Sequence, residues 1–289
     1  MSFGSPYLTL PDFEYHRPAT LEEALELLSK HGEEAKVMAG GVGLLAFMKE
    51  RLMSPAHVVD IKGIKQLGTM KHVPGKYLRI GASVTLAEVS SSEVVSSRYT
   101  ALHEAASMAA DPMIRGRATL VGNVCEAIPW VDTPPALIAL GASVEVAGAA
   151  GRRSVEVERF IRGPVDVDLK PDEIVTGVEL PDVPGRRSAF EKFSAGTEFS
   201  IASVAASVIP GRKDGVRIVY GAVSSTPVRC TEAERIVAEG ELSRATISRA
   251  AQAASESVEC VTDVLSSAEY RRHLIRLITM KVLRRLFVS

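Results

Sequence analysis

Asparagine occurs once in the 289 residues, at Asn123, glutamine twice, at Gln66 and Gln252, and tryptophan once, at Trp130. So few heat-labile amides is a pattern of thermophile proteins, which predicts a thermophilic source and gives the solitary asparagine a specific duty. The three cysteines, Cys125, Cys230 and Cys260, are too few and too scattered for a disulfide framework, a paired-cysteine zinc site or a complete iron-sulfur ligand set. Metal chemistry is therefore expected in a partner. His16, His31, His57, His72, His103 and His273 show no ligand spacing either, so they read as surface or core residues, with no metal site in this chain.

No stretch is long and apolar enough to predict a membrane span. The opening "MSFGSPYLTLPDFEYHRP" lacks a basic segment followed by an apolar one, which predicts no secretory signal and a cytoplasmic protein. Neither sign of charge prevails, with 34 basic against 35 acidic side chains and a net charge of -1. Such a balance gives no general attraction to nucleic acid or anionic lipid. Any anion must be held by local geometry.

The length favours two compact units over one. "ATLEEALELLSKHG" carries a capping pattern, Thr20 with Glu23, and apolar residues at helical spacing. "KVMA", "LLAFMKERL" and "HVVDI" then read as strand, helix and strand. "YLRIGASVTLAEV" predicts a strand and a helix begun by Thr85, "RYTALHEAASMAA" a helix, and "ASVEVAG" with "RRSVEVERF" a hairpin. Pro134 and Pro135 suit a first helical turn, where their missing N–H groups do no harm. "LPDVPGRRS" reads as a boundary, followed by an antiparallel meander and, after Thr231, helices. The chain thus reads as α+β, with a first domain over 1–180, in lobes of about 1–62 and 63–180, and a second over 187–289.

Two glycine turns stand at predicted helix starts. In "VMAGGVGLL", Gly40 and Gly41 permit positive φ and close approach of a ligand to the backbone. The N–H groups that follow have no intrahelical partner and favour an anion. A tight structural turn explains the same dipeptide. No GxGxxG or GxxxxGK[ST] pattern is present, which disfavours a dinucleotide fold of the Rossmann type and a P-loop. In "RATLVGNVCEAIPWVD", Gly122 and Asn123 tolerate left-handed backbone, Thr119 supplies a hydroxyl, and Asp132 precedes a helix, where a carboxylate caps or accepts from a ribose hydroxyl.

These two stretches, with "LRIGASVTLAEV", "DEIVTGVELP", "GAVSSTPVRCTEAE" and "SSAEYRRHLIRL" in the same order, resemble the FAD-binding medium subunit of the molybdenum hydroxylase family. That family includes carbon monoxide dehydrogenase and xanthine dehydrogenase. The resemblance spans essentially the whole chain. It implies a two-lobed FAD-binding domain of the vanillyl-alcohol-oxidase type and a C-terminal domain of a small antiparallel sheet and helices. It also implies Ala39, Gly40, Gly41, Val42 and Gly43 along the pyrophosphate in one loop, and Thr119, Val121, Gly122 and Asn123 in the other. Asp132 is placed toward the ribose or adenine, Val175 against the flavin, and Lys192 near the cofactor. Val42 and Gly43 offer no hydroxyl or carboxylate, and Val121 stands where relatives carry the first glycine of GGN, which sets a branched side chain beside the expected pyrophosphate.

By the same resemblance the subunit carries no catalytic acid or base. A large partner holds the molybdenum cofactor and a small partner holds [2Fe-2S] clusters, in a dimer of heterotrimers. Electrons pass from the clusters to FAD and on to quinone, NAD or oxygen. Other readings fit the residues to different degrees. Val42, Gly43 and Val121 fit an assembly subunit with weakened FAD binding. A self-contained flavin oxidase needs a larger substrate domain than the ~100 residues after the boundary. The C-terminal "AEYRRHLIRLITMKVLRRLF" reads as a helix with an apolar core face and a solvated basic face that includes Arg271.

Overall fold

The computed structural model describes residues 9–194, 199–240 and 243–287. Its first lobe is a small parallel sheet in the order β1-β3-β2, built from β1 (Glu14–His16), β2 (Ala35–Met38) and β3 (His57–Asp60). Helix α1 (Leu21–His31) follows β1 and α2 (Val42–Lys49) joins β2 to β3, because parallel neighbours need a crossover. Thr20 caps α1 through the Glu23 N–H, and Gly32, at φ 54°, ends it. Leu21, Ala24 and Leu28, one helical face, are buried. Strand β1 has no alternating apolar pattern to announce it; its pairing with β3 defines it.

The second lobe is an antiparallel sheet in the order β4-β5-β10-β6-β7. Its strands are β4 (Met70–Val73), β5 (Tyr77–Gly81), β6 (Ser143–Gly148), β7 (Gly151–Glu156) and β10 (Ile174–Pro181). The ribbon β8 (Ile161–Gly163) and β9 (Asp166–Val167) lies outside it. The predicted single helix over 98–110 is broken at Tyr99, whose φ of -129° separates α4 (Glu93–Arg98) from α5 (Thr100–Met108). Helix α3 (Leu86–Ser91) opens with the full reciprocal cap of Thr85 and Glu88. Short helices α6 (Pro112–Arg115), α7 (Leu120–Glu126) and α9 (Val157–Phe160) complete the lobe.

Helix α8 (Thr133–Leu140) is buried on every side, with both prolines in its first turn. Its terminal carbonyls are met from other elements: Ile138 O by Arg217, Ala139 O by Ser207 and Leu140 O by Arg186. Such partners are what a buried helix end requires. Full burial of Leu137 alone contributes about 1.5 to 3 kcal/mol. The helix packs under the C-terminal sheet, a meander of β11 (Arg187–Phe193), β12 (Ala202–Val208), β13 (Val216–Gly221) and β14 (Val228–Arg229). Phe190, Ala205 and Val219 of that sheet join the first domain's core, whereas Val204, Ile218 and Tyr220 face the second core. Helices α10 (Thr231–Glu239), α11 (Arg244–Ser257) and α12 (Ala268–Phe287) cover this outer face.

Two expectations about α12 divide. Leu274, Ile275, Ile278, Val282, Leu283 and Leu286 are buried as the spacing predicts. Arg271 is not on a solvated face: it is 1% exposed and donates to Ile201 O, Val261 O and Asp263. A guanidinium offers enough donors to satisfy all three.

Asp182, just past β10, is a clasp between the sheet and the helices. Its carboxylate accepts from the Gly75 N–H at 2.8 Å and from Arg98 at 2.9 and 2.6 Å, and lies 3.0 Å from His72 Nε2. Burial alone would raise the Asp182 carboxyl, but the Gly75, Arg98 and His72 contacts outweigh it and hold the group below its ordinary range. A depressed carboxyl stabilises above its unfolded value and loses that contribution as the pH falls through its folded one. Asp182→Asn is therefore expected to cost about 2 to 4 kcal/mol at pH 7 in urea unfolding, with the gap to wild type closing in acid.

Candidate cofactor site

The two glycine turns meet. A Cβ on Gly40 would stand 2.1 Å from the Arg117 carbonyl oxygen and 3.1 Å from Ala118 Cα, so this glycine serves backbone packing against the second loop. Gly41, at φ 83°, is the left-handed N-cap of α2. The expected clear approach for a ligand at both glycines thus holds a protein neighbour at Gly40. Ala39 lends its carbonyl to Lys62 Nζ at 3.0 Å, and Lys62 also pairs with Asp60 at 2.9 Å. Asp60 accepts in turn from Tyr15 at 2.5 Å. Lys62 therefore sets a positive charge beside the first loop.

Val42 and Gly43 open α2, whose first N–H groups meet no protein acceptor among the described residues. Those donors, with Lys62 nearby, fit a phosphate. Across the gap, a Cβ on Gly43 would stand 2.5 Å from Glu126 Oε1. Glu126, at the end of α7, is half-buried, and burial pushes its carboxyl up to about 7. No reading of the second loop singled it out, because one acid at a helix end carries no spacing signal.

The second loop is more helical than its residues suggest. Neither Gly122 nor Asn123 takes a positive φ; both lie inside α7. Thr119 caps that helix by accepting from the Gly122 N–H at 3.0 Å, and a Cβ on Gly122 would crowd the Thr119 hydroxyl at 2.8 Å. Asn123 has a side-chain duty instead, accepting from Thr133 Oγ1 at 2.6 Å and tying α7 to α8. Val121 is 4% exposed with its side chain in the core.

Asp132 neither caps α8 nor stands free for a ribose hydroxyl. One oxygen accepts from Lys192 Nζ at 2.7 Å and the other from Ser200 Oγ at 2.6 Å. Burial is the largest influence on this carboxyl and raises it despite both partners. The arrangement bridges the domains, since Asp132 precedes α8 whereas Lys192 lies on β11. Val175, on β10, is 4% exposed within the first domain's core.

Beside Ser200 a cavity of about 210 Å³ opens between the domains, lined among others by Pro129, Trp130, Ala222 and Arg271. Trp130 meets Phe199 edge-to-face at 5.5 Å, and its indole Nε1 is buried with no acceptor among the described residues. Cys125, half-buried, has its thiol pushed up to about 12 by burial, which makes it an inert apolar group. In "SAGTEFSIAS" after β11, where the family resemblance implies a pair of arginines and hence an altered polar network near the flavin edge, residues 195–198 lie outside the described residues.

Residues 11–183 match the family model described as the FAD binding domain in molybdopterin dehydrogenase, and residues 189–286 match the CO dehydrogenase flavoprotein C-terminal domain. The chain is 30% identical to the glyceraldehyde dehydrogenase medium chain of Sulfolobus acidocaldarius, over 94% of this chain and 97% of that one. It is 33% identical to the nicotine 6-hydroxylase medium subunit of Paenarthrobacter nicotinovorans, over 93% and 95%. Its fold matches a chain of the carbon monoxide dehydrogenase of Hydrogenophaga pseudoflava with a TM-score of 0.90 at 30% identity, over 96% and 98%. With facing glycine turns, a two-lobed first domain and this coverage, the chain belongs to the FAD-binding subunits of the molybdopterin dehydrogenase family.

Proposed function

We propose that this subunit carries FAD between its glycine loops and passes electrons from [2Fe-2S] clusters of a small partner to an external acceptor. In this reading substrate oxidation belongs to a large molybdenum-cofactor partner, and the complex is a cytoplasmic dimer of heterotrimers. The amide-poor composition supports a thermophilic source. The domains divide as 1–180 and 187–289, on either side of the Asp182 clasp. The observation that carries the proposal is the packed pair of loops, which leaves the α2 amides without protein acceptors beside Lys62.

Bound FAD supplies the redox chemistry, and the protein supplies orientation and surroundings. The main-chain groups of Gly41, Val42, Gly43 and Val121 are the donors for the diphosphate. Thr119, Gly122 and Asn123 act one step back, fixing α7 and its contact with α8. Asp132 and Lys192 are positioning residues that hold the domain junction.

A second reading, an assembly subunit with weak FAD binding, draws on Glu126, whose carboxylate packs against Gly43 at the start of α2. Its raised carboxyl is neutral below about pH 7 and charged above, so it opposes a diphosphate only on the alkaline side. Glu126→Gln is therefore expected to tighten FAD about ten-fold at pH 8, one unfavourable charge contact of order 1.4 kcal/mol. The gain shrinks toward none at pH 6. The test is an absorbance spectrum of the purified chain after FAD incubation and removal of excess, with fluorescence titrations of both forms across this range. Flavin bands in the wild type support the proposal. A folded protein that stays colourless alone and in the co-expressed complex overturns it in favour of the assembly reading.

A further inference from the structure

Sequence spacing gives the histidines no ligand pattern, yet the fold gathers three of them. His16 ends β1, His57 begins β3 and His31 is the last residue of α1. Because β1 and β3 are parallel with Glu14 opposite His57, the period-two alternation puts Glu14, His16 and His57 on one face of the sheet. The α1 face bearing Leu21, Ala24 and Leu28 packs on the core, and the sharp stop at Gly32 delivers His31 to the same place. One ring nitrogen from each imidazole lies within 4.8 Å of the others. His16 Nε2 and His57 Nδ1 are 3.1 Å apart, and the His31 and His57 rings have centroids 3.6 Å apart.

We infer that His16, His31 and His57 form a binding site for a divalent transition-metal ion of the zinc class, with Glu14 as an oxygen donor. Tetrahedral zinc with Zn–N of about 2.0 to 2.1 Å sets its nitrogens roughly 3.4 Å apart. The His16–His57 pair already has nearly that spacing. His31 must close by no more than about 1.4 Å, within the reach of a ring turning at the end of a helix. The Glu14 carboxylate lies 3.7 Å from His16 Nε2 and 3.5 Å from His57 Nδ1, so its two oxygens flank the pair. His16 and His57 side chains are only 14% and 15% exposed, which holds them in place, whereas Glu14 at 66% leaves an entry path.

The donor set decides the ion. Three imidazoles and one carboxylate suit zinc, nickel or copper and disfavour magnesium and calcium, which take oxygen ligands. The site is structural in character: it joins β1, a three-residue edge strand, and the end of α1 to β3. Without an ion, three imidazoles crowd one another beside the exposed Glu14. With one, the same crowding becomes a preformed coordination shell. None of this rests on the flavin reading, because the ligands come from β1, the end of α1 and the start of β3, none of which carries a glycine loop.

The test uses untagged, chelator-treated full-length protein. Dialysis against zinc followed by metal analysis is expected to give one bound ion per chain, with micromolar or tighter affinity in a competition titration. Cobalt in place of zinc is expected to give the visible absorption of a tetrahedral nitrogen-rich site. His57→Ala and His16→Ala are each expected to weaken zinc at least a hundred-fold, whereas His273→Ala, an exposed histidine on α12, leaves it unchanged. His31→Gln, at a helix end, serves if either strand variant fails to fold. Wild-type protein that binds no zinc, or histidine variants that bind it as well as wild type, would overturn the site.

Discussion

Gly40→Ala is expected to unfold the protein more readily by about 3 kcal/mol, at the upper end of what overpacking costs, and to weaken FAD more than ten-fold. The added methyl would sit 2.1 Å from the Arg117 carbonyl oxygen and 2.9 Å from its carbon. Both are backbone atoms, and Arg117 belongs to a segment fixed on two sides. Leu86 N donates to Ala118 O at 2.8 Å and Leu120 N to Val84 O at 3.1 Å. The second loop therefore cannot yield alone; the two loops must separate by about an ångström, which also moves the α2 amides. Gly41→Ala is the informative comparison. Its cost is conformational, about 1 to 2 kcal/mol for a left-handed φ of 83°, and its nearest neighbour is the flexible end of Met38. Urea midpoints and FAD titrations of the two variants should rank Gly40 well below Gly41. Equal effects would mean that loop-to-loop contact does not organise the site.

That difference between adjacent glycines marks the limit of what the residues disclose. A strand, GG and a helix start were legible as a turn, because glycine, capping residues and apolar periodicity are local signals. Which glycine bends and which one packs depends on a loop 77 residues away, counted from Gly40 to Arg117. The same distinction runs through the second loop. Thr119 announced a cap and is one, whereas Gly122 and Asn123 looked like left-handed residues and are helical, because the Thr119 hydroxyl and Thr133 give each a partner. That the Val121 side chain packs in the core could not be read before the inward face of a seven-residue helix was known.

Polar side chains were the least legible. Arg271 stands three, four and seven residues before buried Leu274, Ile275 and Ile278, so its spacing put it on the core face while Arg272 and Arg276 are exposed; its charge hid that. Three carbonyl and carboxylate acceptors from distant segments bring it inside. Glu126 and Lys62 gained their places beside the glycine loops in the same way, and the histidine cluster is assembled from two strands and a helix end. Apolar periodicity records which face a residue shows to the core; it holds no record of which polar partner waits there.

Lys192→Met should be the most damaging single change at the domain junction, lowering stability by about 3 to 5 kcal/mol near neutral pH. Asp132 is 4% exposed, so the substitution leaves a buried carboxylate with Ser200 as its remaining partner. Burial already raises this carboxyl with Lys192 in place, and removing the ammonium raises it further. The pH dependence follows from that direction. A group whose folded value lies above its unfolded one is protonated in both states in acid, where it costs nothing. The loss then grows as the pH rises through the folded value. The gap between Lys192→Met and wild type should accordingly widen from acid toward pH 8, opposite to the gap expected for Asp182→Asn. Pairing the change with Asp132→Asn removes the stranded charge and should recover most of the stability, because an amide can still accept from Ser200. Recovery of stability without recovery of flavin binding would assign the ion pair to cofactor positioning as well as to the junction. A Lys192→Met variant as stable as wild type across this range would show that Asp132 finds another cation or reaches water, and the bridge between the domains would have to be sought in the apolar contacts of α8.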